Sequence, residues 1–481
     1  MADLAKVNFA PPKSFFVEML VRDIEMKDAI LDLLDNCVDG IQRVLRGDKP
    51  DGYNADLPYR GFFANITLNS SEFSLEDNCG GIPRQVAIES AFRLGRPDTT
   101  KDNDLDTVGM YGIGMKRAIF KLGDTCTVYS RTPEGSYNVK ITPEWLRNDD
   151  EYHLELNDTD DELQACGTKI HVTRLHDNIA RSFTPGRSPF TQNLKDEISK
   201  LFLIIIKKGF SVSINGYEIT PKDLSIMVPA ENLTEGETGI EPYLFKATID
   251  GVKIELAVGF YRALATDNEI DEELIEKKTS ENAGWSVICN DRLVLHADKT
   301  HLSGWGTSGV PNYHTQFISI AGFVRFQSTD AMRLPLNTTK RGLDTSSALY
   351  FTMLDVMREG IKHFISYTNR WKGRVNETQE QFRKSQPLKI EQISEQIQAN
   401  TDQWTNVRKL TVNDNSASKH EPRLEVPPKT RTHSRITYSK PIEEIALLKA
   451  HFFEDMDVDA VSSNEVGEAA FDECLTKAGE T

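Results

Sequence analysis

Ala29-Ile30-Leu31-Asp32-Leu33-Leu34-Asp35-Asn36-Cys37-Val38-Asp39-Gly40 is the stretch that decides the reading. Apolar residues recur at three- and four-residue steps from Phe15 to Ile41, which predicts helix over 14–46. On that helix Asp32 and Asn36, four apart, stand one above the other on one face, while the apolar residues between them turn inward. A carboxylate and a carboxamide aligned this way can hold a water and a hard cation side by side. Mg2+ takes oxygen ligands and keeps several waters, so an Asn oxygen combined with phosphates suits it. The plainer reading of the same stripe is a solvated polar face.

Two further segments follow at spacings of roughly 40 and 30 residues. Glu76-Asp77-Asn78-Cys79-Gly80-Gly81-Ile82-Pro83 comes after an alternating strand at 62–68 and its partner at 72–75. An Asp at a strand end can accept a hydrogen bond from an exocyclic amine, and the glycines behind it allow close backbone approach to a planar ligand. The plain alternative is an Asp-Asn turn. Val108-Gly109-Met110-Tyr111-Gly112-Ile113-Gly114-Met115-Lys116-Arg117 reads as a loop feeding a helix to about residue 122, whose free N–H groups and dipole favour anions. It is not a Walker A loop, because Met115 interrupts the Gly-Lys-Ser/Thr. Nor is it a dinucleotide fingerprint, which needs a third glycine and a βαβ frame.

In order and spacing, these three segments resemble the N, G1 and G2 boxes of the GHKL ATPases, the superfamily of gyrase, the cytosolic heat-shock ATPase chaperone, histidine kinases and MutL. The polar stretch 94–111 is similar to the family's ATP lid. Gly167-Thr168-Lys169-Ile170 resembles its later Gly-Thr element. The resemblance implies that Asp32 activates water, Asn36 binds Mg2+, and Asp77 reads adenine with help from Thr168. It further implies that Gly81 and Ile82 complete the G1 box, and that Gly109, Gly112, Ile113, Gly114, Met115 and Lys116 cradle phosphates. Two positions depart from the pattern: Asp32 stands where the family usually has Glu, and Cys79 where it has glycine.

Leu334-Pro335-Leu336-Asn337-Thr338-Thr339-Lys340-Arg341 is similar to the loop by which the GHKL transducer domain sends a basic residue to the γ-phosphate, with Lys340 as the candidate. Gly284-Trp285 through Leu295, Gly304-Trp305-Gly306 and Tyr313-His314 resemble the transducer of the MORC ATPases, with Asn290-Asp291 at a hairpin turn. The fold expected is an α+β sandwich: a Bergerat ATP-binding fold, helices on one face of a mixed sheet, then a β-rich transducer and a helical C-terminal region. The boundaries expected are a strap at 1–13, the ATPase domain at 14–220, the transducer at 221–370, a basic helical or linker segment at 371–440 and an acidic helical element at 441–481.

Composition agrees with this reading and narrows it. With 39% apolar and 27% charged residues, the 481-residue chain falls outside collagenous, low-complexity and wholly disordered classes. Its longest apolar run, 201–206, is far short of the roughly 20 residues of a membrane span, and its start lacks a secretory pattern. The six cysteines form no CxxC pair, which fits a reducing cytoplasm. The net charge of −17 opposes indiscriminate binding to phosphate backbones. Yet residues 358–440 hold 16 Lys/Arg against 9 Asp/Glu, while 441–481 hold 2 against 11.

The function expected is a MORC-like, Mg-dependent ATPase of slow turnover that closes its lid and dimerises on ATP, acting on DNA or a protein partner through 358–440. The alternatives are a chaperone-like ATPase and a nucleotide-binding regulatory module that does not hydrolyse. The chaperone reading calls for a larger region after the transducer. A histidine kinase needs a phosphoacceptor helix pair ahead of residue 29, and a type II topoisomerase needs a cleavage domain.

Overall fold

The computed structural model describes residues 12–47, 53–93, 114–159, 162–234, 236–276, 280–337, 342–399, 404–407, 416–427, 439–453 and 461–479. Two helices, α1 (Lys13–Arg22) and α2 (Met26–Arg46), stand where one was expected over 14–46. Glu25 takes extended backbone and Ile24 is buried, so the apolar spacing carries across a break that periodicity alone does not report. α2 buries Ala29, Ile30, Leu33, Leu34 and Ile41 against the first sheet. Each large aliphatic so buried contributes about 1.5–3 kcal/mol, far more than helix propensity does.

The first sheet begins with the hairpin β1 (Phe63–Leu68) and β2 (Glu72–Asp77), which leads into α3 (Arg84–Val86) and a π turn at Ala87–Ala91. Then come α4 (Gly114–Leu122), β3 (Gly123–Thr132), β4 (Gly135–Ile141), α5 (Pro143–Arg147), β5 (Leu156–Asp158) and β6 (Gly167–Leu175). After α6 (Asp177–Phe183), α7 (Phe190–Leu201) and α8 (Leu203–Lys207), β7 (Ser211–Ile214) and β8 (Tyr217–Glu218) complete it. The strand order is β5-β4-β3-β6-β2-β1-β7-β8, with only β1 and β7 parallel. Large mixed sheets with helices against them are consistent with a Bergerat fold.

The second sheet contains β10 (Tyr243–Ile249), β11 (Val252–Phe260) and, after α9 (Asp267–Glu276), β12 (Gly284–Cys289), β13 (Arg292–Asp298) and β14 (Ile320–Gln327). Its order is β13-β12-β14-β11-β10-β17-β16, so β17 (Ser416–His420) and β16 (Thr405–Asn406) extend it beyond β10. A separate two-stranded pair joins β9 (Ser225–Pro229) to β15 (Ser385–Lys389). The stretch expected as a basic helical or linker segment, 371–440, therefore contributes strands as well as α11 (Gln379–Arg383) and α12 (Ile390–Ala399). α10 (Ala348–Trp371) packs Met353, Met357, Ile361 and Phe364 on one face of the second sheet. On another face α12 packs Ile393 and Ile397 with Ala257, Leu244 and Phe323.

The apolar run 201–206 joins the two cores. Phe202 and Ile205 belong to the first, whereas Leu203 and Ile204 pack with Ile288 and Leu293 of the second sheet. All six cysteines are free. No described helix is long and apolar enough to cross a membrane. Residues 427–481 form a separate compact unit, in which α13 (Ile442–Phe452) and α14 (Ser463–Gly479) pack together.

Candidate functional site

Asp77 ends β2, and its carboxylate is buried at 7% exposure. Oδ1 accepts the backbone N–H of Cys79 at 2.7 Å and of Thr168 at 3.3 Å. Oδ2 accepts the long thiol contact from Cys37, 3.6 Å away on α2. Burial pushes the carboxyl up to about 6, against these hydrogen bonds, which pull it down. The Cys37 thiol is itself pushed well up, first by its contact with Cys79 and then by burial. A carboxylate with one oxygen held by backbone and the other weakly engaged is arranged to accept an amine.

α2 crosses the end of β2 closely. A Cβ on Gly40 would stand 2.5 Å from the Cys79 carbonyl oxygen, so this crossing requires glycine. Gly81 is constrained by the protein itself. Its φ is +73°, and a Cβ there would lie 2.3 Å from the Arg131 carbonyl oxygen. Its smallness serves packing of the loop against β3, whatever it offers a ligand. The next residue, Ile82, is fixed by its N–H on Ser130 Oγ at 2.8 Å and its carbonyl on the Tyr137 hydroxyl at 2.7 Å.

Asp32 is 6% exposed, and its Oδ2 accepts Arg117 Nη2 at 2.9 Å. Arg117 lies on α4, whose first residue, Gly114, also approaches Asp32. The Arg117 Nε is buried without a hydrogen-bond partner. Asn36 is half-buried one turn along, and its carboxamide makes no hydrogen bond with another described residue. An unengaged carboxamide oxygen is the kind of ligand Mg2+ takes in company with phosphates and water.

Met115 is partly buried against the first core. Lys116 is buried, and its Nζ donates to the carbonyls of Ala91 at 2.7 Å and Arg93 at 2.6 Å. It ties the end of the π turn to α4, where an ammonium reaching a phosphate was expected. Gly109, Gly112, Ile113 and the whole of 94–111 lie outside the described residues, as does Lys340. The described flanks of Lys340 close on each other: Leu336 bridges Leu343, and the Asn337 N–H donates to the Gly342 carbonyl at 3.0 Å.

Arg117 escaped the sequence reading although it adjoins Lys116 in the quoted segment. Asp35 and Arg292 escaped it too. Arg292 Nε donates to Asp35 Oδ1 at 2.7 Å, and both side chains are buried. No local pattern links residues 257 positions apart.

Residues 24–173 match the family described as histidine kinase-, DNA gyrase B-, and HSP90-like ATPase. No curated protein matches the chain.

Proposed function

The chain carries a GHKL-type ATPase domain at residues 24–173, and on that footing we propose that it is an ATP-gated clamp of the MORC type. It binds Mg-ATP, closes the 94–111 segment over it, pairs with a second copy and hydrolyses slowly. The observation that carries this reading is the meeting of the three motif segments through two contacts. Cys37 touches Asp77, and Arg117 touches Asp32.

In this reading Asp77 accepts the adenine amine, supported by Thr168. Gly109, Gly112, Ile113, Gly114 and Met115 border the phosphates, with Lys116 bracing the loop beside them. Asn36 holds Mg2+, which supplies neutralisation of phosphate charge. Asp32 takes the proton of the attacking water. Arg117 fixes the direction of that carboxylate and must yield or share it when water is activated. Lys340 brings positive charge to the γ-phosphate only when the two sheets' halves are set for closure. The excess of Lys/Arg in 358–440 provides the contact with DNA or a protein partner.

A second reading has its own support. The grip of Arg117 on Asp32 suits a module that binds nucleotide and does not turn it over. One experiment separates the two: ATP turnover and sedimentation with a non-hydrolysable analogue, each with and without DNA, for the parent and Asp32→Asn. Turnover in the parent that is lost in the variant supports the enzyme. Nucleotide-driven dimers without turnover in either support the module. Lys340→Ala is expected to keep ATP affinity near normal and to lose the analogue-driven dimer; a variant that still dimerises overturns the clamp.

A further inference from the structure

The tip of the β12–β13 hairpin places two consecutive charged residues against the first half of the chain. Asp291 Oδ1 accepts Lys208 Nζ and Arg325 Nη2, each at 2.8 Å, while its Oδ2 accepts the Tyr59 hydroxyl at 2.8 Å. Tyr59 in turn accepts Gln42 Nε2, from α2, at 3.0 Å. Burial would raise the Asp291 carboxyl, but the Lys208 and Arg325 cations overcome it and hold the group below its ordinary value. Arg292 is 5% exposed; its Nε donates to Asp35, 3% exposed, and its Nη1 to the carbonyls of Leu201 at 3.0 Å and Leu293 at 2.8 Å. The guanidinium also lies 4.0 Å from the centre of the Phe202 ring.

Asp35 and Gln42 are seven residues apart, two turns, and so share one face of α2. That face meets the hairpin. Asp32 and Asn36, on the adjoining face, border the nucleotide side. We propose that Arg292 is a positioning residue for the metal and water subsites: through its buried ion pair with Asp35 it fixes the rotation of α2, and with it the places of Asn36 and Asp32. A rotation of α2 by about 10° at a side-chain radius of about 5–6 Å moves these groups by about 1 Å, enough to cost a reaction about 100-fold. Removing one partner of a buried pair leaves an uncompensated charge, so the contact resists slipping. Asp77 stands on β2, where the N–H groups of Cys79 and Thr168 hold it and α2 reaches it through the long Cys37 contact, so the adenine subsite depends less on the rotation of α2. The inference rests on the nucleotide reading above.

The test exploits that division. ADP affinity is measured by calorimetry with EDTA and with Mg2+, alongside ATP turnover, for the parent, Arg292→Lys, Arg292→Gln and the double variant Asp35→Asn/Arg292→Gln. Lysine keeps the charge and loses the fork that reaches Asp35 and two carbonyls together. Both single variants are expected to keep EDTA-state affinity within about twofold, while the gain on adding Mg2+ and kcat each fall about tenfold or more. The double variant replaces the ion pair with a matched amide pair, and should recover part of the Mg2+-dependent gain lost in Arg292→Gln. Parent-like values in every variant overturn the proposal. So does a parallel loss of affinity in both buffers, which marks general loosening, and so does a double variant no better than the single.

A parent that binds ADP in neither buffer overturns the nucleotide reading itself. The contact is then judged by amide exchange over residues 28–40 in the unliganded protein. Faster exchange in Arg292→Gln than in the double variant sustains the hairpin's hold on α2, and equal rates in all forms end it.

Discussion

Along β1 and β2 every second residue is buried, whereas along β12 every residue is, and along β11 all but one. The first sheet presents one face to its helices and leaves alternate side chains more open. The second is packed against α10 on one side and against α8 and α12 on another. The two also treat charge differently. Asp32, Asp35, Asp39 and Asp77 are all buried on α2 or at the end of β2, while the described strands of the second sheet bury only Glu255 and Arg292 among charged residues. Buried carboxylates cost stability unless they are held by hydrogen bonds or cations, so their concentration in one half fits the candidate site proposed there. The other half is built for stiffness.

The sharpest way to break this division is at Asp77. Asp77→Ala is expected to lower nucleotide affinity by about 10⁴-fold, because a site built around one buried hydrogen bond discriminates strongly when it is unmade. Calorimetry showing unchanged affinity would remove Asp77 from the site. Next in size, Asp32→Asn should bind ATP near normally and lose turnover by about 10²–10⁴-fold, since an amide cannot take a proton; steady-state phosphate release against a binding isotherm checks both parts.

The stiff half should respond in the opposite sense. Leu256 is fully buried in the second core. Leu256→Ala is expected to cost about 2–5 kcal/mol in chemical denaturation while nucleotide affinity stays within about twofold. An affinity that falls with stability would show that the two halves are not functionally divided at all.

The smallest effect is a titration. Asp77 is pushed up to about 6, and the amine-accepting form is the ionised one. Nucleotide affinity should fall about tenfold per pH unit as the pH drops below about 6. Because the folded value lies above the unfolded one, near 4, the unliganded protein binds the proton more tightly than the unfolded chain. This group's contribution to stability is therefore greatest below about 4, declines between about 4 and 6 by at most about 1.4 kcal/mol per unit, and is flat above that. Asp77→Asn should remove that slope, as thermal melts across pH 4–7 would register.

The candidate site residues legible in the sequence were those fixed by local spacing. Asp32 and Asn36 are set by the helical repeat, and Asp77 by its place at a strand end before glycines. Arg117 and Arg292 were not legible, because their partners lie 85 and 257 residues away and nothing in the local pattern selects them. The hairpin strands β1 and β2 were legible from apolar alternation. β15 and β17, Ser385–Lys389 and Ser416–His420, were not: they carry few β-branched or aromatic residues, and only pairing with β9 and β10 makes them strands. At Gly81 the sequence does not show the constraint the fold adds, a carbonyl of Arg131 that leaves no room for a Cβ.

The six apolar residues 201–206 have a mechanical consequence. Within one and a half turns of chain, Phe202 and Ile205 are anchored in one core and Leu203 and Ile204 in the other. Pulling the halves apart would expose both sets at once, so separation is strongly opposed. The segment is placed as an axle between the sheets, with the Asp35–Arg292 and Lys208–Asp291 pairs bridging them as well. Heating should accordingly melt both sheets in one transition, since neither core can lose its end of the axle without uncovering the other's.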